Sequence, residues 1–403
     1  MKRIGSLCPP ETKSFEWIKS MSSVAHGLPG PHVTAIASRT DLASSSSAPQ
    51  VVEWKVASPS EDDICITRRV SLAGNRLCVL YRGFDAKVVS VVDAHAQASL
   101  AQYPVPGEPL RLCMAPKGDR FMIAGNRSNG AGYVRGYSTE TGAKLWGKCY
   151  DTAEPGYRRR SYVFDMALSA DGNSVVSVAQ RSFHGRKTTD FIVSSTDSGK
   201  KQHRWIVPAE TYYRIGAGGA YLAQEDTLAA TSVAMGRRYV AVGSEHRRVY
   251  TWDLRHTKEP AMRLSAPEEV SSVAIAVNAQ GDDQFVLGSG TLGDIYVWAL
   301  RDHKGGEEHE PTAIMKGHTE QISRLFCSDL PNRAVSGAGD KTARCWDLES
   351  FQELEPSRRQ HSSCVADVCM TPQGEWVSFD HRSSVQLGPL ESQESKTHRA
   401  ALP

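Results

Sequence analysis

The sequence predicts an all-β protein, a ring of seven four-stranded blades, on three observations taken together. Short apolar stretches recur along the chain with a tight-turn cluster between each adjacent pair. Those clusters, marked by Gly74, Gly118, Gly172, Gly236, Gly281, Pro331 and Gly374, follow one another at 44, 54, 64, 45, 50 and 43 residues. The repeats also lack the 3.6-residue apolar spacing that helical repeats of similar length need. A period in the forties, stretched in two places, is that of a β-propeller blade. Each cluster is a hairpin signal of the Ala-Gly-Asn, Lys-Gly-Asp or Pro-Asn kind, as at Ala73-Gly74-Asn75, Lys117-Gly118-Asp119 and Pro331-Asn332.

Composition agrees with a folded chain. At 403 residues the chain exceeds the size at which one hydrophobic core stops growing, so two domains or a repeat architecture is required. Hydrophobic content of 40% and charged content of 23% exclude a mostly disordered chain, a collagen and a coiled coil. Lysine plus arginine number 47 against 45 acids, a net +2, so only a local patch can argue for an acidic partner. The nine cysteines are odd in number, scattered and free of any C-x-x-C pair, which fits reduced thiols. No run of about 18 apolar residues and no secretory signal pattern is present, so the expectation is a soluble cytoplasmic or nuclear protein.

The sharpest unit is the sixth. It reads Lys316-Gly317-His318, Ile322-Ser323-Arg324-Leu325, Ala334-Val335-Ser336-Gly337, Asp340 and Ala343-Arg344-Cys345-Trp346-Asp347. Related endings stand at Val249-Tyr250-Thr251-Trp252-Asp253 and Ile295-Tyr296-Val297-Trp298-Ala299. These residues resemble the WD-repeat family, and the resemblance covers about residues 51–390. It implies that His318, Ser336, Asp340 and Trp346 join in a buried hydrogen-bonded relay, which lets polar groups sit between blades without being left unsatisfied. Elsewhere His246 stands where the family has aspartate, and Val193-Ser194-Ser195 and Gly136-Tyr137-Ser138 replace the Trp-Asp ending. Those blades are expected to rely on packing.

The ends divide from this body. Residues 51–390 form the propeller, and its seventh blade lacks an outer strand, which either Val51 to Ala57 or Asp63 to Thr67 can supply. Residues 1–50 are an extension with a serine-rich linker from Ala43 to Ala48; Phe15, Ile18, Ser22 and Ala25 lie at helical spacing after Pro9-Pro10. Residues 391–403 are a polar tail.

No phosphate loop, zinc-protease pair, nucleophile elbow or cysteine zinc spacing is present, so the chain is expected to be no enzyme and to carry no cofactor or metal. Ile215-Gly216-Ala217-Gly218-Gly219-Ala220 has no helix with a lysine behind it and reads as a loop. Asp302-His303 with Glu307-Glu308-His309-Glu310 reads as solvated charge rather than a metal site. More informative are the basic residues. The family's architecture puts the connections between outer and next inner strands, and between second and third strands, on one face, called the top. In the second to fourth repeats these segments carry Arg158, Arg159, Arg160, Arg181, His184, Arg186, Lys187, Arg247 and Arg248, joined by Tyr212, Tyr213 and Arg214 in an insertion from Ala209 to Asp226. Nine basic residues stand against four acids over residues 156–204. Clustered arginines with aromatics suit an acidic or phosphorylated peptide, with RNA as the alternative. Trp252-Asp253-Leu254-Arg255 resembles the box by which WD-repeat receptors dock on a cullin-ligase adaptor, with Arg255 as the contact. The expected function is a non-catalytic scaffold subunit with protein partners, no membrane and no small-molecule substrate.

Overall fold

The computed structural model describes residues 51–55, 67–83, 87–150, 160–183, 186–208, 210–215, 221–226, 228, 230–300, 308–328, 330–354 and 357–389. The regular elements within them are β-strands arranged as seven blades. Blade 1 runs outward through Thr67–Ala73, Arg76–Arg82, Lys87–Asp93 and Ala98–Pro104. Blades 2 to 6 start at the inner strands Glu108–Met114, Arg160–Leu168, Ala230–Met235, Val270–Val277 and Ile322–Phe326. Blade 7 comprises Val365–Met370, Glu375–Asp380 and Ser384–Pro389 with a fourth strand from the other end of the chain.

All seven predicted turn clusters join an inner strand to the second strand of its blade. Gly74, Gly118, Gly172, Gly281 and Gly374 have positive φ there, and Asn332 takes the same region in blade 6. Blade 4 solves the problem differently. Asp283, from the neighbouring blade, accepts hydrogen bonds from the backbone N–H groups of Arg237, Arg238 and Tyr239 at 2.8, 2.8 and 2.9 Å.

The core is a set of seven slabs, each filling the space between two adjacent blades. Phe191, Val193 and Trp205 of blade 3, for example, meet Val233, Val240 and Trp252 of blade 4. Slabs of the same kind lie at the other six junctions. A middle strand is therefore buried on both faces, which is why Leu77 to Tyr81 is unbroken apolar sequence while the outer strand Ala98–Pro104 alternates.

Of the two candidate closing segments, the first does it. Val52–Lys55 pairs antiparallel with Ser384–Pro389 as the outermost strand of blade 7, with Trp54 opposite Val385. Trp54 is 3% exposed and packs in the slab between blades 7 and 1. Ser384 Oγ donates to Glu53 Oε1 at 2.6 Å. Thr67, the end of the other candidate, instead opens blade 1, and residues 63–66 lie outside the described residues. The expected helix at Phe15 to Ala25, the serine linker and the tail 391–403 also lie outside them. The outer edge of blade 4 gains a short fifth strand: Glu308–His309 pairs in parallel with Arg263 and Leu264.

Truncating the closing strand's anchor tests this arrangement. Trp54→Ala should cost about 3–5 kcal/mol, the range for emptying a buried aromatic site. Removal of residues 1–55 should also expose the blade 7 edge to self-association. Thermal melts and size-exclusion chromatography read both. A truncated chain that melts and elutes like the full chain would show that closure contributes nothing.

Candidate functional site

The top end of blade 3 stands out from the other six. Its second and third strands, Ser174–Phe183 and Arg186–Ser195, are ten residues each, against six or seven for those of blades 1, 2, 4, 6 and 7. Arg181, Arg186 and Lys187, expected in a loop, are thus carried by paired backbone, because the hairpin continues three register rows beyond Gln180 and Thr189. Arg160 pairs with Ser182, which pairs in turn with Lys187. Arg158, Arg159 and His184 lie outside the described residues. The insertion before blade 4 is a two-stranded hairpin, Glu210–Ile215 with Tyr221–Asp226. Its register sets Tyr213, Arg214 and Tyr221 toward the turn, whereas Glu210, Glu225 and Asp226 are at the open end. In blade 4, Arg247 is exposed on the strand-connecting turn with φ 59°, and Arg248 is ion-paired with Glu308 at 2.8 Å.

None of the four acids between 156 and 204 shares that end of blade 3. Asp165 is fully buried on the inner strand, Asp171 and Asp197 lie at turns of the opposite face, and Asp190 is buried beside Arg204 at 3.1 Å. On the opposite face also sits Arg255. Its side chain is 59% exposed, with the guanidinium folded back on Asp253 and Nη2 2.8 Å from Oδ2. Arg238 donates to the same carboxylate at 2.8 Å. Burial alone would raise the Asp253 carboxyl, but bonds from Arg255 and Arg238 hold it well below the usual carboxylate range.

In blade 6 the four relay residues meet. His318 Nδ1 is 2.8 Å from Asp340 Oδ2, His318 Nε2 is 2.7 Å from Ser336 Oγ, and Trp346 Nε1 donates to the same Ser336 oxygen at 2.8 Å. Thr342 adds a bond to Asp340 Oδ1 at 2.7 Å. Against the desolvation that would raise it, these donors keep the Asp340 carboxyl far below its ordinary value. The expectation that the second, third and fourth repeats rely on packing needs correcting for blade 3, and polar groups also stand in comparable positions in blades 5 and 7, about which no such expectation was made. Tyr150 bonds to Ser177 in blade 3, and His361 to Ser378 at 2.8 Å in blade 7. In blade 5, Glu268 accepts from Tyr296 Oη, Thr291 Oγ1 and the Leu292 N–H at 2.8, 2.9 and 2.7 Å.

One constellation was not recognised in the sequence. Arg69, Arg111, Asp165, Ser232, Ser272, Arg324 and Asp367 occupy equivalent positions on the seven inner strands, six of them beside a β-bulge. Around the channel they link blade to blade. The N–H groups of Val233, Val273, Leu325 and Val70 donate to Asp165, Ser232, Ser272 and Asp367 of the preceding blade at 2.7, 3.4, 3.1 and 3.0 Å. Arg111 pairs with Asp165, Arg324 lies 3.7 Å from Asp367, and Ser71 accepts from Met114 N–H at 2.9 Å, which covers the remaining junctions. Burial opposes ionisation of Asp165, yet Arg111, Arg324 and the Val233 N–H keep its carboxyl below the usual range. Among the described residues no three His, Cys, Asp or Glu gather to hold a metal. No helix there is long and apolar enough to cross a membrane.

Two outcomes follow. Asp340→Asn should cost about 1–3 kcal/mol near neutral pH by weakening a buried charge-assisted bond. Because the folded carboxyl titrates below the unfolded one, that advantage exists above about pH 4 and fades beneath it, so wild-type and variant melting curves should converge on acidification. A constant gap would show that the carboxylate charge is irrelevant. In the channel, Asp165→Ala strands both Arg111 and the Val233 N–H and should cost about 3–5 kcal/mol, against about 1–3 for Ser232→Ala. Urea titrations that ranked the two equally would remove the charge from the ring's role.

The model of the WD domain, G-beta repeat, matches residues 309–347, the region of blade 6 that carries the relay. Transducin-like enhancer protein 2 of Mus musculus is 28% identical over 144 residues, 36% of this chain and 17% of that protein. Anaphase-promoting complex subunit cdc20 of Dictyostelium discoideum is 23% identical over 151 residues, 37% of this chain and 28% of its own length. Target of rapamycin complex subunit LST8 of Saccharomyces cerevisiae is 24% identical over 95 residues, 24% and 31% respectively. The chain thus spans less than a third of each of these relatives. A WD-repeat match in blade 6 and a ring of seven β-sheet blades are what this chain shares with the WD-repeat β-propellers.

Proposed function

We propose that the chain is a non-catalytic platform holding protein partners in a larger assembly, and that the top of blades 3 and 4 docks an acidic or phosphorylated peptide segment. The observation that carries this reading is the concentration of the ring's largest excursions at one sector. The ten-residue hairpin of blade 3 and the added hairpin before blade 4 both rise there, with arginine, lysine and tyrosine in their sequence and no acid between Arg181 and Thr189. Arginine forks suit carboxylate and phosphate, and a paired hairpin presents them with less ordering cost than a free loop. Two of the relatives are named as subunits of complexes, which supports the platform class but no partner.

Docking on a cullin adaptor through Arg255 has weaker support. A guanidinium already held by Asp253 on the same turn must give up those bonds to reach a second protein.

Charge reversal at Arg158, Arg159, Arg160, Arg186 and Lys187 should abolish the main partner contact and leave the melting temperature nearly unchanged, since on this reading their charges serve the partner and contribute little to stability. Affinity purification with mass spectrometry reads the first effect and calorimetry the second. An unchanged partner list would move the site off this face. If RNA copurifies with the wild type and its affinity falls log-log with salt at a slope of about −0.7 per phosphate, RNA replaces the peptide as ligand.

A further inference from the structure

One arginine of the channel ring has its charge met but not its hydrogen bonds. Arg69 donates to the Ala366 carbonyl at 3.3 Å, and Arg111 is paired with Asp165. Arg324 differs. Burial alone would lower its guanidinium, but the carboxylates of Asp165 and Asp367 hold it above its ordinary value. No acceptor among the described residues comes within hydrogen-bonding distance of its N–H groups, and Asp367 Oδ1 stands 3.7 Å from Nε. Asp367 accepts the Val70 and Val368 N–H groups at 3.0 Å each, which leaves part of its capacity open. A donor and an acceptor 3.7 Å apart, both lining one space, are set for a third group between them.

That space is a cavity of about 210 Å³ beneath the ring, with Arg324 and Asp367 at its inner end and exposed turn residues such as Pro116 and Pro372 at its mouth. Its wall repeats the ring's symmetry. Three residues after the ring position, the inner strands contribute Leu72, Met114, Met235, Ile275 and Met370, with counterparts in the other two blades, an apolar collar of one side chain from each. Three strand residues span about 10 Å, so the polar pair lies deeper than a side chain reaches from a backbone held at the mouth. A free small molecule reaches it. An apolar cavity of about 150 Å³ holds benzene, so this one takes a molecule of slightly greater size.

We propose that the channel binds a short aliphatic primary amide, whose carbonyl oxygen accepts from Arg324, whose N–H donates to Asp367 and whose chain fills the collar toward the face opposite the basic hairpins. The polar pair selects the head. A carboxamide carries an acceptor and a donor side by side and brings no charge. A carboxylate offers no donor and sets a second anion beside Asp367, and a ketone leaves the Asp367 oxygen unmet. The collar selects the tail, because methylenes lose water there without leaving a polar group unpaired. The site is separate from the proposed peptide surface and stands or falls independently of it.

The experiment uses the full chain with hexanamide, hexanoate, methyl pentyl ketone and acetamide as probes, read by isothermal titration calorimetry and by melting temperature. Hexanamide should bind saturably at one site per chain and raise the melting temperature. The other three, each lacking the neutral charge, the donor or the tail, should bind at least about tenfold more weakly. Arg324→Met removes the donors and keeps an unbranched apolar stem; it should weaken hexanamide about ten- to a hundredfold while the unliganded variant remains folded. Leu168 is the half-buried member of the collar in blade 3. Leu168→Trp, which fills the collar and leaves the ring intact, should block hexanamide and serves if the arginine variant does not fold. No saturable hexanamide binding, hexanamide affinity unchanged in Arg324→Met or in Leu168→Trp, or hexanoate or the ketone binding as tightly as hexanamide would each overturn the proposal.

Discussion

Everything in this molecule depends on the pairing of Val52–Lys55 with Ser384–Pro389, because the core it closes is shared rather than owned. Each apolar slab belongs to two blades, so no blade buries its surface without both neighbours. An open ring would leave blade 7 and blade 1 each with one bare face, and the free edge of Ser384–Pro389 would be a template for further strands. The pair Trp54 and Val385 does two things at once. It completes the hydrogen-bond ladder of the last sheet and inserts an indole into the slab between the last blade and the first.

The inner ring adds a second, polar closure to this apolar one. Side chains at one depth on each inner strand reach the next blade, so the angular step from blade to blade is set by hydrogen bonds and ion pairs as well as by packing. Such bonds sit where the strands converge and where sheets have least apolar surface to share. Their net energy is modest because the groups also lose water, but leaving one unmade is expensive. The ring therefore penalises a wrong blade number or a slipped register more than it stabilises the right one.

How much of this the sequence disclosed follows from whether the physics is local. Turn signals are local: positive φ at Gly74, Gly118 or Asn332 demands a particular residue at a particular place, and all seven turns were readable. The blade 6 relay was readable because its four residues keep the family spacing. Closure was narrowed to two segments but not chosen between, since either could have supplied an apolar outer strand. The channel ring was hidden for a definite reason. Its members stand seven residues before the turn marker in blades 2, 3, 6 and 7, but five, four and nine before it in blades 1, 4 and 5. Unequal turn lengths break the count, and only the paired register restores it. The substitutes for the relay, such as Glu268 with Tyr296, were hidden because a different chemistry fills the same space.

The same separation of local and collective constraints explains where the ring varies. An insertion between outer and inner strands leaves both slabs and both hydrogen-bonded closures untouched, and the entropy of a longer connection grows only logarithmically with length. The hairpin Glu210–Ile215 with Tyr221–Asp226 is a change of this kind, and the added rows of blade 3 lengthen the connection between its second and third strands with the same freedom. Because they pair with themselves or extend an existing ladder, they satisfy their own backbone groups and ask nothing of the ring. Residues added there are free to be chosen for a partner, as buried slab residues are not. The sector whose backbone departs furthest from the common blade is thus the sector where the fold constrains sequence least, and Arg181, Arg186, Lys187 and Arg214 belong to it.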